Sequence, residues 1–489
     1  MQSQSKEWSS LYELIHDIAQ TKKIEMDQLA EGDISLDSKL KDKFPLLAKM
    51  DKKMLNKRIK SLRELNASLT EIMSMVDYKQ AEIPGSFSHS ISSLRPFIFY
   101  NTKIKELAKV LASTASRLAP PSLNLDRLKA TKAKEKGDPS GSKSYFGQLF
   151  RALHFIPPEQ LRNTSEYTWR VHYQDEEGMD AGGLYRDSIY NVCSDLHSNT
   201  LSLFIPCPNS SGVGENQNKW IPNPAAKSTL ELSMFAFVGK LMGVAIRNRQ
   251  MLNLDLPPLL WKYLVNDPIT IQDIIDVDAL AFNHIQVIEN SSSEDEDVLE
   301  SYTFTVKSAD GNDGVELLPG GKNLKVTKQN KDEFVQLWKT FKLTEFDSQL
   351  SSIRNGLSAI VPVQVLSLFT AEELELVVCG KADINVQYLK ANSVYEHPYT
   401  ADHQQIKWLW KSLEHFSQKE LENFLCFVWG RSRLPLDSEK WTQKFKVTSC
   451  ASSSDQALPS SHTCFFHLEL PNYASQKTTE AKLRYAINN

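Results

Sequence analysis

The stretch Leu458-Pro-Ser-Ser-His-Thr-Cys464-Phe-Phe-His-Leu-Glu-Leu-Pro471 decides how this chain is read. A small polar loop is expected to lead into a cysteine, and an alternating strand to follow it at once. Phe466, Leu468 and Leu470 take one face of that strand, and Phe465, His467 and Glu469 take the other. Pro459 and Pro471 bracket the segment, since neither can sit inside a paired central strand. Cys464 is therefore expected at the mouth of a strand, with its thiol accessible and its backbone held. A nucleophile needs that combination of access and fixed aim.

Helical patterns surround this stretch. Ile406, Leu409, Trp410 and Leu413 form one apolar face, and Leu421, Phe424, Leu425 and Val428 form another that ends at Gly430. After Tyr473, Ser475 can cap a last helix on which Leu483 and Ile487 share a face and Glu480 and Arg484 form an i,i+4 pair. Further upstream, Thr370 and Glu373 have the spacing of a capping box, and Gly380 is a plausible stop. Cys379 falls on the apolar side of that helix, which suits a buried structural thiol. Phe235, Val238, Leu241, Met242 and Ala245 make a core stripe in which Gly239 and Gly243 permit close packing. Trp169 to Tyr173 reads as a short strand, with a turn at Asp175-Glu-Glu-Gly178 and a double glycine at Gly182-Gly183 before a helix.

The first part of the chain reads as helices from about Ser9 to Arg117. Leu11, Leu14, Ile15 and Ile18 have helical spacing, as do Leu55, Ile59, Leu62 and Leu65. Residues 129–144, KATKAKEKGDPSGSKS, lack large apolar side chains and are expected to be a flexible linker or long loop. The acidic run Ser291-Ser-Ser-Glu-Asp-Glu-Asp297 reads as a solvated loop. Neither Gly182-Gly183 nor Pro319-Gly-Gly-Lys322 completes a nucleotide-binding fingerprint.

At 489 residues with 41% hydrophobic content, the chain can bury two or three cores. A net charge of −4 points to neither nucleic acid nor an anionic membrane as partner. The six cysteines show no C-x-x-C spacing, so no zinc site, other metal, cofactor or disulfide framework is expected. A reducing cytosolic setting, or a nuclear one, follows. The N-terminus has no apolar signal region, and the apolar run from Met234 to Ile246 is interrupted by Lys240 and is short for a membrane span. The chain is expected to be soluble.

Leu-Pro-x-x-x-Thr-Cys-Phe with a following Leu-Pro and Tyr473 resembles the active-site signature of HECT-type ubiquitin ligases. Trp169-Arg-Val, Asp180-x-Gly-Gly-Leu-x-Arg186, Phe235-x-x-x-Gly239-Lys-Leu-Met-Gly243 and the segment from Val361 to Gly380 are similar to that family's N-lobe. Phe427-Val-Trp-Gly-Arg-Ser-Arg-Leu-Pro435 and Lys482-Leu-Arg-Tyr-Ala-Ile-Asn-Asn489 look most like the large HERC-type members. The resemblance covers residues 145–489. It implies an α+β fold: a bilobal HECT domain with a mostly helical N-lobe and an α/β C-lobe, preceded by an all-α extension. Residues 1–128 would be the extension, 145–380 the N-lobe, 381–384 the hinge and 385–489 the C-lobe. A smaller subdomain at roughly 262–340 would dock the ubiquitin-conjugating enzyme. Phe466 stands where many members carry asparagine, although HERC-type members resemble this chain there. Members usually continue past the position of Ile487 with a short tail bearing an aromatic, which leads one to expect either a truncated form or impaired transfer.

The resemblance implies that Cys464 accepts ubiquitin from a charged conjugating enzyme as a thioester and passes it to a substrate lysine. The attacking species is the thiolate. His462, two residues before the cysteine, could polarise it, and Thr463 offers a hydroxyl and an amide to the tetrahedral oxyanion. The base for lysine attack stays unassigned, with Glu469 the nearest carboxylate in sequence but several residues down the strand. A cysteine protease would need a separate histidine with an orienting residue, and the eleven histidines show no such motif. A catalytically silent adaptor is the other alternative.

Overall fold

The computed structural model describes residues 38–488 together with Leu11, Leu14, Ile15 and Ile18, apart from residues 137, 139, 175–181, 292–298, 381–383, 432, 435–443 and 451–453. The expected turn at 175–178, Asp180, most of the acidic run and the first three hinge residues lie outside the described residues. The chain divides into two compact units. One joins residues 1–115 to two later segments, 261–268 and 361–374, and the other holds the remainder.

In the first unit, α1 (Lys52–Ile72) is capped by Asp51, whose side chain accepts from the Met54 amide at 2.7 Å. Its buried stripe of Leu55, Ile59 and Leu62 packs with Leu11, Leu14, Ile15 and Ile18, as the helical spacing predicts. On α2 (Tyr100–Ser113), Lys103 is fully buried and donates to Glu373 Oε2 at 2.5 Å and to the Arg95 carbonyl at 2.6 Å. The same carboxylate accepts from the Thr370 amide at 2.9 Å, while Thr370 Oγ1 accepts from the Glu373 amide at 3.3 Å. The capping box read from the sequence is thus present and also holds a buried cation. Burial pushes the Lys103 ammonium below its usual range, and the Glu373 charge works against that shift. The N-terminal helices recruit chain from beyond residue 128, which helical periodicity alone does not reveal.

In the second unit, β1 (Ser122–Leu125) precedes α3 (Arg127–Lys136) and pairs in parallel with β2 (Arg170–Tyr173). The expectation of a loop over 129–144 is therefore corrected for its first half. Ala130 and Ala133 are buried on α3, and lysine is a good helix former, so a segment poor in large apolar residues still forms a helix. Gly182, at φ 94°, opens α4 (Gly183–Leu196), and a Cβ there would strike the Tyr167 ring.

Helix α5 (Thr229–Asn248) begins five residues before the apolar run, behind a capping box of Ser228 and Glu231. Its 20 residues are long and apolar enough to cross a membrane by length and composition, although the Met234–Ile246 run within it is shorter. It is a core helix: 67% of its most apolar window is buried inside the protein. It lies against α6 (Asp347–Ile360), where a Cβ on Gly239 would meet the Ile353 carbonyl and one on Gly243 would meet Ile360. Gly356 makes the reciprocal approach to Ala236. Small residues on both helices let the backbones touch, as the glycines of the stripe suggest. The helix Ala371–Cys379 then ends at Gly380, at φ 74°, whose amide donates to the Leu376 carbonyl at 2.9 Å.

Replacing Glu373 with glutamine should remove the charge facing Lys103 and destabilise the first unit by about 3–5 kcal/mol. Urea unfolding followed by circular dichroism measures this, and a loss below about 1 kcal/mol would show that the pair matters little.

Candidate active site

Residues 384–487 build a core of their own. Its sheet has the order β3 (Ser393–Tyr395), β4 (Phe445–Ser449), β6 (His467–Leu470), β5 (Ser460–His462). β4 is parallel to both β3 and β6, and β5 runs antiparallel to β6 at the edge. Phe445, Val447, Leu468 and Leu470 are fully buried on the inner face. They pack with α7 (Gln404–Glu414), α8 (Gln418–Trp429) and α9 (Gln476–Asn488), whose stripes are those read from the sequence. α9 is capped by Ser475 and carries the Glu480–Arg484 pair at 3.1 Å.

The run before Cys464 is a strand and not a simple loop. β5 pairs Ser461 with Leu468 and His462 with His467, and Ser461 Oγ donates to the Phe427 carbonyl of α8 at 2.6 Å. Two serines and a histidine at a sheet edge leave no apolar alternation to read. Between the two strands the chain makes a tight helical turn, Thr463–Phe465, and Phe466 then takes φ 48° before β6 begins. Cys464 is the middle residue of that turn; its side chain lies outside the described residues. The expected strand mouth is therefore the tip of a hairpin.

Phe466 is fully buried and stacks on Trp429, with ring centroids 4.0 Å apart and planes 8° from parallel. Left-handed backbone at a bulky residue costs on the order of 1–3 kcal/mol. Burying the ring contributes a similar amount, and stacking adds to it. Phe465, on the opposite side, is 61% exposed. Alternation thus holds through the turn: one phenylalanine anchors and the other faces solvent.

His462 is half exposed, and its Nε2 lies 3.2 Å from Glu469 Oε1. Glu469 Oε2 accepts from Ser460 Oγ at 2.8 Å. Hydrogen bonds from Ser460 and His462 hold this carboxyl below the usual carboxylate range. The His462 and His467 rings stack at 5.2 Å, and His467 Nε2 lies 2.7 Å from Thr448 Oγ1. Burial, with the neighbouring His462 second, lowers the His467 pKa. Sequence distance placed Glu469 away from the cysteine; the antiparallel register returns it to the side of His462. The signal that finds it is the spacing of Ser460, His462, His467 and Glu469 about a tight turn.

Thr463 is half-buried on the wall of a cavity of about 460 Å³ that Asp187, Tyr190, Cys426, Gly430 and Ile487 also line. Beyond α8, Arg431 Nη2 donates to Gln250 Oε1 at 2.9 Å, and Arg433 Nη2 donates to Asp255 Oδ1 at 2.9 Å and the Leu254 carbonyl at 3.3 Å. These arginines tie the segment after α8 to the segment after α5, a role no local pattern disclosed.

Burial pushes the thiols of Cys193, Cys379 and Cys426 up to about 12 and that of Cys207 up to about 11. Cys193, Cys207 and Cys379 are buried and Cys426 is partly so, and the buried character expected of Cys379 is observed.

Residues 190–489 match the HECT-domain (ubiquitin-transferase) family. Over 413 residues, 82% of this chain and 8% of the relative, the sequence is 35% identical to E3 ubiquitin-protein ligase HERC2 of Homo sapiens. It is 30% identical over 483 residues to Probable E3 ubiquitin-protein ligase HECTD4 of Homo sapiens, covering 89% of this chain and 12% of the relative. With E3 ubiquitin-protein ligase TOM1 of Saccharomyces cerevisiae it shares 30% identity over 354 residues, 70% of this chain and 10% of the relative. The chain thus spans only 8% to 12% of the length of these relatives.

Brief alkylation of the native chain at neutral pH should label Cys464 at least tenfold faster than the buried Cys193, Cys207 or Cys379. Peptide mass spectrometry reads the ratio; equal labelling of the buried Cys193, Cys207 and Cys379 would contradict the packing described.

Proposed function

We propose, since this chain belongs to the HECT-domain (ubiquitin-transferase) family, that it is a ubiquitin-protein ligase acting through a thioester on Cys464. The observation that carries the reading is the hairpin. It sets Cys464 at a turn between two paired strands and fastens that turn by the buried stack of Phe466 on Trp429. A cysteine so placed has its backbone fixed by the strands on either side.

In the first half-reaction the Cys464 thiolate attacks the carbonyl carbon of ubiquitin's C-terminal thioester on a conjugating enzyme. The tetrahedral intermediate collapses with departure of that enzyme's thiolate, so one thioester replaces another at little net cost. His462, braced by Glu469, favours the Cys464 anion, and Thr463 supplies a hydroxyl and an amide toward the oxyanion. In the second half-reaction a neutral substrate lysine attacks the Cys464 thioester. An isopeptide bond forms, the amine proton passes to solvent or a nearby base, and the Cys464 thiolate is released. Residues 145–380 serve as the N-lobe, with a conjugating-enzyme subdomain at about 262–340, and 385–489 serve as the C-lobe. A swing at 381–384 turns the cysteine from donor to acceptor. The partners are ubiquitin, a conjugating enzyme and substrate proteins, in a reducing cytosolic or nuclear setting.

With activating enzyme, charged conjugating enzyme and ubiquitin, the chain should form a thiol-sensitive adduct that Cys464→Ala abolishes. A band that persists in the variant on a non-reducing gel would move the thioester elsewhere. No band across a broad panel of conjugating enzymes, from a folded sample, would favour an adaptor. In single-turnover experiments His462→Ala should slow adduct formation by roughly tenfold to a hundredfold, and an unchanged rate would exclude a chemical role for this side chain. Proline at Ala382 should slow transfer to lysine while the C-terminal core stays folded; equal rates would count against the swing.

A further inference from the structure

The outer face of the β5–β6 hairpin gathers two imidazoles and a carboxylate, of which the proposed thioester chemistry uses His462 and Glu469 and leaves His467 without a role. His462 and His467 are directly opposite each other in the antiparallel register, and Glu469 stands two residues along on the same face. One ligating atom from each lies within 4.8 Å of the other two. A tetrahedral zinc ion with bonds of about 2.0–2.1 Å holds its ligand atoms roughly 3.3 Å apart. His462 Nε2 and Glu469 Oε1 already stand at 3.2 Å.

The surroundings are those a metal ligand set needs. A ligating histidine normally has its other nitrogen held by an oxygen partner, and ligating carboxylates are braced in turn. Here Thr448 Oγ1 engages one nitrogen of His467 at 2.7 Å and leaves the other for an ion. Ser460 Oγ donates to the second carboxylate oxygen of Glu469 at 2.8 Å, leaving the first toward His462. His462 is exposed while the other two are half-buried, so the group is open to solvent on one side, where water can complete a coordination sphere. Two imidazoles and one carboxylate are a donor set suited to zinc and its neighbours rather than to magnesium or calcium.

We propose that His462, His467 and Glu469 form a binding site for a divalent transition-metal ion of the zinc class, with water as the remaining ligand. Such an ion bridges β5 to β6 on either side of the turn that carries Cys464. The site shares His462 and Glu469 with the proposed thioester chemistry, and its ligands come from a strand pair rather than from cysteine motifs.

The test uses the full chain carrying Cys464→Ala, which removes that thiol as a ligand and makes binding independent of transfer activity. After chelator treatment and dialysis, Co²⁺ is titrated while the visible absorption of a tetrahedral cobalt centre is followed, and Zn²⁺ is then added to displace it. A saturable one-to-one spectrum displaced by Zn²⁺ is expected. His462→Ala, at an exposed position on the edge strand, should weaken binding at least tenfold, as should His467→Ala. Ser460→Ala, which removes only the brace on Glu469, should weaken it by about tenfold. Far-ultraviolet circular dichroism establishes that each variant is folded. No saturable binding up to millimolar Co²⁺, or equal affinity in the parent and in a folded His462→Ala chain, would overturn the proposal.

Discussion

The stack of Phe466 on Trp429 is the contact from which the geometry around Cys464 follows. Trp429 ends α8, and Phe466 ends the turn that carries the cysteine, so one aromatic pair clamps the loop to the helix beneath it. The clamp holds a bulky residue at φ 48°, where asparagine is tolerated far better. That backbone would suit the asparagine that the resemblance leads one to expect here in many members of the family. Such a backbone can be secured either by a residue that accepts it readily or by a ring buried deeply enough to offset the strain. In this chain Phe445 closes on the same ring at 5.1 Å, so the aromatic solution is shared among three side chains.

What the sequence made legible were the features written into periodicity and capping. The apolar stripes of α7, α8 and α9, the Thr370–Glu373 box, the Gly380 stop and the glycines of α5 all act over a few residues, within the reach of local pattern. The alternation of Phe466, Leu468 and Leu470 against Phe465, His467 and Glu469 was readable for the same reason. Strand β5 was not, because three polar residues on an edge strand have one side in water and no apolar partner to betray the pairing. Helix α3 was hidden by its composition, since a lysine-rich segment reads as solvated until the two alanines it buries are known. The unit assembled from residues 1–115, 261–268 and 361–374 rests on contacts between distant parts of the chain, such as Lys103 to Glu373, which leave no trace in either local stretch.

The register of one hairpin changes the chemical standing of Glu469. Counted along the chain it lies five residues beyond Cys464; across the β5–β6 ladder it is paired with Ser460 and bonded to His462. Strand pairing therefore converts a histidine that could have been a solvated loop residue into one whose ring is fixed from two sides, by a carboxylate and by a stacked imidazole. A fixed ring can support a thiolate, and it can also ligate an ion. Both uses draw on the same cause, the two-residue alternation of an edge hairpin.

Reactivity in this chain is set as much by where thiols are hidden as by what surrounds the nucleophile. Cys193 and Cys379 are buried beside Arg433, yet desolvation outweighs that cation and leaves both thiols protonated. Arg433 itself is committed to Asp255 and the Leu254 carbonyl. The same arginine thus fastens the segment after α8 and sits next to two silent cysteines without activating either. Any rotation of the C-terminal core away from the segment after α5 must break those bonds and the Arg431–Gln250 contact. The arrangement observed is therefore one that polar contacts hold at a few points, each bond of this kind being worth about 1.5–3 kcal/mol when one partner is charged.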